Sequence, residues 1–202
     1  MPFDLDKLED YCKSQIEKFA LKHPNEEFYA FAIDADLLCF NSIEKYHKLV
    51  KGLKKEWIKS VKPVKRWEDL TAPDLQKYDT VLSLAEQYPG LDRSDKVACL
   101  AVVNDGKLNR QKKGNPYEDE EQLQMLKENT GDWAYQGFAK MLKKHGFDVD
   151  AYDEHYDMDE AMQKKSDYAL AMEQLISRLN ESGIFNKVKT TNDFYALRVE
   201  HN

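Results

Sequence analysis

Apolar residues recur at steps of three and four positions near the start of the chain, which is the spacing of a helix with one buried face. They are Leu5, Leu8, Cys12, Ile16 and Phe19. The pattern predicts a first helix from about Asp4 to Leu21, ended by His23 because the residue before a proline avoids the helical conformation. The same spacing predicts a long helix from a cap at Asn41 or Ser42 to about Ser60.

Short apolar runs between turn residues predict strands. Glu27 to Ile33 is typical of a central strand that is covered on both faces. Asp34-Ala35-Asp36 can turn the chain into a second strand at Leu37 to Phe40, which gives a hairpin. Val97 to Val103 predicts another buried strand, followed by a turn at Asn104-Asp105-Gly106 because glycine and Asn/Asp favour turns.

The second half of the chain predicts a helix from Thr130 to about His145, in which Trp133 is the first buried residue. Gly146 stands where a left-handed residue ends a helix. Residues 104–122 lack an apolar period and are interpreted as a long exposed loop that leads into a short helix. Further elements are expected at Asp79–Gln87 (helix), Met162–Leu179 (helix, closed by Gly183), and Ile184–Lys189 and Phe194–Val199 (strands, joined by a turn at Thr191-Asn192-Asp193).

These elements predict an α+β fold, with a mostly antiparallel sheet of about four to six strands and helices packed on it. The chain has 202 residues, of which 42% are hydrophobic and 33% charged, so we expect a single domain over residues 1–202. No apolar run approaches the ~20 residues of a membrane helix, and the acidic N-terminus does not resemble a signal peptide. Three widely spaced cysteines suit reduced thiols, and we expect a cytoplasmic protein.

Candidate catalytic chemistry is sparse. No two histidines have the i, i+4 spacing of a helical metal site, and we expect neither a metal nor a cofactor. A calcium loop starting at Asp148 fails, because Asp153 replaces the required glycine and Asp159 the final glutamate. Cys12, Cys39 and Cys99 lie in apolar patterns and are interpreted as small buried hydrophobic residues.

One alternative is a small enzyme. Asp34 and Asp36 directly follow a buried strand and could act as paired carboxylates in a site at the strand ends that also uses Trp133 or Tyr135. The simpler interpretation is that both aspartates form a turn. We therefore expect a protein that is not an enzyme.

Charge is segregated along the chain, although its formal net charge is −7. Lys45 to Arg66 contains nine basic residues and one acid, Glu56. The basic residues are nearly all lysines, no aromatic stacking set is interleaved on the expected exposed face, and the protein as a whole is acidic, so we do not expect nucleic acid to be a partner. Acids concentrate at Glu118–Glu121 and over Asp148–Glu160, where tyrosines are interleaved. Acidic and aromatic residues together favour docking to a basic protein surface.

Three stretches resemble a family of bacterial proteins of unknown function: HPNEEFYAFAIDAD, GDWAYQGFAKML and LISRLNESGIF. The motifs are packing motifs, and the resemblance transfers no catalytic residues. Small acidic α+β proteins of this kind are similar in class to immunity proteins, which inhibit toxins that bacteria use against one another. The resemblance implies that context as an analogy of class.

The sequence thus favours a non-catalytic binding protein that blocks a cognate toxin domain. A housekeeping interaction module remains a second alternative. The expected contact residues are Asp148, Asp150, Tyr152, Asp153, Glu154, Tyr156, Asp157 and Asp159, with Glu118, Asp119, Glu120 and Glu121 as a second patch. The face at Lys45–Arg66 stays open as another binding surface.

Overall fold

The computed structural model describes residues 2–73, 76 and 94–199 of the chain. In this part of the chain the fold is α+β, with seven helices and one sheet of four strands. The helices are α1 (Leu5–Lys22), α2 (Ile43–Val61), α3 (Lys96–Lys112), α4 (Glu120–Glu128), α5 (Val149–Tyr156), α6 (Glu160–Gln163) and α7 (Asp167–Glu181). The strands are β1 (Glu27–Asp34), β2 (Leu37–Ser42), β3 (Tyr135–Lys140) and β4 (Lys189–Arg198).

The sheet has the order β3-β2-β1-β4. β1 and β3 each run antiparallel to β2, whereas β4 runs parallel to β1. The prediction of a mostly antiparallel sheet is therefore corrected to a mixed sheet. Four strands are the lower end of the predicted number. β4 reaches its parallel position because α7 and a 3-10 turn at Ile184–Lys187 return the chain to the start of β1.

The chain divides into two compact units, one of residues Met1–Leu49 and Gln124–Asn202 and the other of Val50–Leu123. The first unit contains the sheet, and the second contains a small core in which Cys99, Val102 and Val103 of α3 pack with Trp67. The expectation of one domain over residues 1–202 stays a prediction.

Both faces of β1 are buried, as predicted. On one face, Phe28, Phe31 and Ile33 pack in the main core beneath α1 and α7. On the other face, Tyr29, Ala30 and Ala32 pack in a second core with Cys39 and Trp133. Two successive residues, Tyr29 and Ala30, share this second face because the pairing of β1 with both neighbouring strands shifts between Phe28 and Ala30.

The predictions for α1, the β1–β2 hairpin and α2 are confirmed to within a few residues. Asp4 caps α1 by accepting the N–H of Lys7 at 3.2 Å, and Ser42 Oγ accepts the N–H of Lys45 at 3.3 Å. Ala35, at the hairpin turn, has a φ of 55°. Gly146 is left-handed as predicted, with a φ of 94°.

The strand predicted at Val97–Val103 is wrong, because this segment lies inside α3. Asp95 caps the helix by accepting the N–H groups of Val97 and Ala98, both at 3.0 Å. The turn predicted at Asn104-Asp105-Gly106 and the first part of the loop predicted at 104–122 are helical for the same reason. A 3-10 turn at Pro116–Glu118 then leads into α4.

The helix predicted from Thr130 to His145 is also wrong. The segment forms a 3-10 turn at Thr130–Asp132, then β3, then a second 3-10 turn at Lys143–His145. Gly137 has a φ of 63°, a conformation that a regular helix does not contain. The burial of Trp133 is confirmed: its side chain is 4% exposed, and its Nε1–H donates to the carbonyl of Lys127 at 3.0 Å.

The two strands predicted near the C-terminus are corrected to a 3-10 turn at Ile184–Lys187 and the single strand β4. The turn expected at Thr191-Asn192-Asp193 is a bulge within β4, because the register with β1 shifts there. The helix predicted at Asp79–Gln87 lies outside the described residues.

Candidate functional site

The acidic segment predicted as the main docking surface, Asp148–Glu160, contains the helix α5. Asp148 caps the helix, with its Oδ1 accepting the N–H of Ala151 at 3.1 Å. Asp157 is the residue that ends it. Because the segment is helical, its side chains divide into an inner and an outer face, which the sequence analysis did not separate.

The inner face of α5 holds the helix against α7. The ring of Tyr152 lies 5.0 Å from that of Tyr168, and the Nδ1 atom of His155 lies 2.7 Å from Ser166 Oγ. His155 is buried, and Tyr152 is half-buried against the main core. Burial is the main cause that raises the pKa of Tyr152, and the negative charges of the nearby Asp34 and Asp36 carboxylates raise it further. Tyr152 therefore belongs mainly to the packing of α5.

The outer face of α5 carries four exposed carboxylates, which we call the acidic face: Asp150, Asp153, Glu154 and Asp157. Their spacing of three, one and three residues places them on one side of a helix. None of the four forms an ion pair with a residue that the structure describes. Four carboxylates are thus held side by side without a neutralising partner in this part of the chain.

Apolar surface lies beside the acidic face. Tyr156 is 64% exposed and Val149 is 47% exposed, and the two residues lie seven positions apart, two helical turns along α5. Gln163 Nε2 donates to the carbonyl of Met158 at 3.1 Å and so connects α6 to the end of α5. Asp159, the last residue of the predicted set, is exposed and precedes α6.

The second predicted patch, Glu118–Glu121, belongs to the other compact unit. All four side chains are exposed. Asp119 Oδ1 accepts the N–H of Gln122 at 3.1 Å, and Glu120 and Glu121 lie in the first turn of α4. Acidic residues at a helix N-terminus stabilise the helix, so this patch has a structural reason of its own.

Asp34 and Asp36, the carboxylates of the enzyme alternative, have different surroundings. Asp34 is 5% exposed and accepts a hydrogen bond from the Thr130 hydroxyl at 2.7 Å. Asp36 forms an ion pair with Lys140 at 2.9 Å, and its carbonyl accepts the N–H of Met141 at 2.7 Å. Both residues thus connect the β1–β2 turn to the segment around β3.

A polar network around Glu26 was missed by the sequence analysis. The Glu26 carboxylate accepts hydrogen bonds from the Tyr135 hydroxyl and, at 2.8 Å, from the Ser42 hydroxyl, and it lies 3.2 Å from His23 Nδ1. Burial alone would raise the pKa of Glu26, but these hydrogen bonds and the charge of Lys45 hold it below its ordinary value. No local sequence signal points to this network, because residues from four elements or their ends meet there.

The cysteines are buried, as predicted. Burial raises the pKa of Cys12 to about 12 and that of Cys39 to about 11. Both side chains are therefore neutral thiols near pH 7, which makes them poor nucleophiles.

No three His, Cys, Asp or Glu side chains in residues 2–73 and 94–199 lie close enough together to hold a metal ion. Among the helices that the structure describes, none is both long and apolar enough to cross a membrane. Comparison of the chain with protein-family models, curated proteins and solved structures finds no match.

Proposed function

We propose that the protein is a non-catalytic binding protein of the immunity class, which docks to a basic surface of a cognate interbacterial toxin in the cytoplasm and so blocks it. The acidic face of α5 is the contact surface in this proposal. The carrying observation is that its carboxylates lie side by side without an ion-pair partner in the described structure.

The position of these charges within α5 supports a role in binding. Asp153, Glu154 and Asp157 lie near the C-terminal end of the helix, where the helix dipole disfavours negative charge. Asp150 and Glu154, and Asp153 and Asp157, are also like-charge pairs at i, i+4, which destabilise a helix by about 0.2–0.5 kcal/mol per pair. Helix stability therefore gives a reason for Asp150, which lies in the first turn, but none for Asp153, Glu154 and Asp157. A basic partner would neutralise these three carboxylates.

The two kinds of exposed side chain on α5 have separate roles in the proposed complex. The acidic face attracts a basic surface over a distance and raises the association rate. Tyr156 supplies a large exposed ring that a partner can bury, and tyrosine is enriched among residues that dominate binding energy. The helix is already fixed by Tyr152, His155 and the Asp148 cap. Binding therefore costs little backbone conformational entropy in α5.

The proposal is tested by co-expression with the toxic product of the neighbouring gene. We expect the wild-type chain to restore growth and to bind the toxin with an association rate that falls as salt rises. Survival no better than with an empty vector would exclude the immunity function. A stable partner that is not a toxin would instead favour the housekeeping alternative.

A matched pair of variants assigns the surface. Asp153→Asn/Glu154→Gln removes two charges from the acidic face, and Asp10→Asn/Glu17→Gln removes two exposed charges of the same types from α1. We expect the first variant to weaken toxin binding by at least about tenfold. Its free energy of unfolding should stay equal or rise by a few tenths of a kcal/mol, because like charges are removed. Equal binding by both variants would show that another surface is used.

A further inference from the structure

β4 is an edge strand of the sheet, and its two halves differ in how the outer edge is protected. The first half contains the bulge between Thr190 and Tyr195 and the exposed charged residues Lys189 and Asp193. Bulges and charged side chains are the features by which proteins block unwanted strand addition. From Tyr195 onwards the strand pairs regularly with β1. The protecting features are therefore concentrated in the first half.

The backbone of Ala196 points away from the sheet. Val199 donates its N–H to the carbonyl of Ile33 at 2.9 Å, and the direction of the backbone polar groups alternates along a strand. The backbone N–H and C=O groups of Tyr195, Leu197 and Val199 therefore point toward β1, whereas those of Ala196 point away from the sheet. No residue in the described part of the chain forms a hydrogen bond with either group. An open donor and acceptor on an edge are a template for another strand.

The side chains around Ala196 make this edge complementary to itself. Tyr195 and Leu197 lie on the same face of the sheet and are both half-buried in the second core, and the three residues Tyr195–Leu197 carry no charge. A half-turn about Ala196 exchanges the positions of Tyr195 and Leu197. The side chain of Arg198 is only 4% exposed, and its NH2 atom lies 3.5 Å from the carboxylate of Glu173 on α7.

We propose that two copies of the chain pair through this edge, antiparallel, about a two-fold axis at Ala196. The two Ala196 residues then exchange N–H···O=C hydrogen bonds. Tyr195 of each copy lies opposite Leu197 of the other, so two apolar cross-strand pairs form and no like charges meet between them. Such an interface is isologous, the commonest kind in soluble oligomers, and it joins two four-stranded sheets into one.

Amide hydrogen exchange of the full-length chain, measured by NMR together with sedimentation, tests the pairing. As concentration rises from about 5 µM to about 500 µM, we expect the sedimenting mass to double and exchange of the Ala196 amide to slow by at least about tenfold. The Leu197 amide is the internal control, because it already bonds to β1 in the single copy and its exchange rate should change much less than that of Ala196. A chain that stays monomeric with an unchanged Ala196 exchange rate overturns the proposal.

A variant distinguishes this edge from other interfaces. Ala196→Pro removes only a donor that the single copy does not use, and proline is tolerated on an edge strand where its nitrogen faces outward. We expect it to abolish the dimer, whereas Asn192→Pro, in the bulge, leaves the dimer intact. If Ala196→Pro fails to fold, the exchange measurement on the wild-type chain decides alone. A dimer that persists in Ala196→Pro, or an Ala196 amide that becomes protected only when a toxin is added, overturns the proposal.

Discussion

His155 Nδ1 lies 2.7 Å from Ser166 Oγ, and this contact connects α5 to the start of α7. The same hydroxyl oxygen accepts the N–H of Ala169 at 3.1 Å and so caps α7. Both side chains are buried. One serine therefore serves two purposes, because it begins the helix behind the acidic face and also holds the helix that carries that face.

Ser166→Ala removes both interactions at once. We expect it to lower the free energy of unfolding by about 1–3 kcal/mol, because a helix cap is lost and a buried imidazole nitrogen loses its partner. Urea denaturation measures the change. Ser177→Ala is the control on the same helix, since Ser177 is exposed and its change should stay within about 0.5 kcal/mol. Equal losses in the two variants would contradict the double role of Ser166.

The Glu26 network predicts a particular dependence of stability on pH. The pKa of Glu26 is lower in the folded chain than its ordinary value of 4.5. Its contribution to stability is therefore fully present above pH 4.5 and is lost as pH falls through the lower folded-state pKa. We expect Glu26→Gln to cost about 1.5–3 kcal/mol at pH 7, with a smaller difference from wild type near pH 3.

Thermal unfolding followed between pH 3 and pH 7 measures this difference. Glu17→Gln serves as the control, because the Glu17 side chain is exposed on α1 and should give a difference near zero throughout. A Glu26→Gln difference that stays constant over the whole range would show that the carboxylate charge is not what stabilises the network.

Trp133 predicts a large packing effect. Its ring lies 6.1 Å from that of Tyr29 in the second core, and both side chains donate to the carbonyl of Lys127 at 3.0 Å. We expect Trp133→Ala to cost about 3–5 kcal/mol, the range for a large aromatic residue lost from a core. Trp133→Phe should cost less, since it keeps most of the packing and loses the N–H donor.

Fluorescence checks the burial of Trp133 independently. In the variant Trp57→Phe/Trp67→Phe, Trp133 is the remaining tryptophan, and acrylamide should quench it weakly. Strong quenching, together with an unchanged melting temperature for Trp133→Ala, would place the residue at the surface.

The segments predicted correctly are those whose signals are local. The stripe from Leu5 to Phe19, the cap at Asp4 and the apolar run at Glu27–Ile33 each contain their own structural information. The run at Val97–Val103 was predicted wrongly, because seven consecutive apolar residues fit a strand as well as a helix. The burial of Cys99, Val102 and Val103 with an 80% exposed Val97 shows the helical period only once the fold is known.

The candidate site shows the same limit. Sequence alone indicated the acidic character of Asp148–Glu160 and its tyrosines, but it treated Tyr152 and Tyr156 alike. The structure separates them: α7 covers Tyr152, whereas Tyr156 is 64% exposed. The Glu26 network and the parallel placement of β4 depend on contacts between residues distant in sequence, so no local pattern could predict them.

The bulge at Tyr29 sets the phase of the whole central strand. Because Tyr29 and Ala30 share one face, Phe28 and Phe31 fall on the other although three positions separate them. Deleting one residue at the bulge would move the residues beyond it to the opposite face of the strand, so Phe31 would enter the layer that now holds Ala30 and Ala32. The number of residues in β1 therefore decides which face each side chain lies on. We expect β1 to tolerate a substitution more readily than an insertion or a deletion.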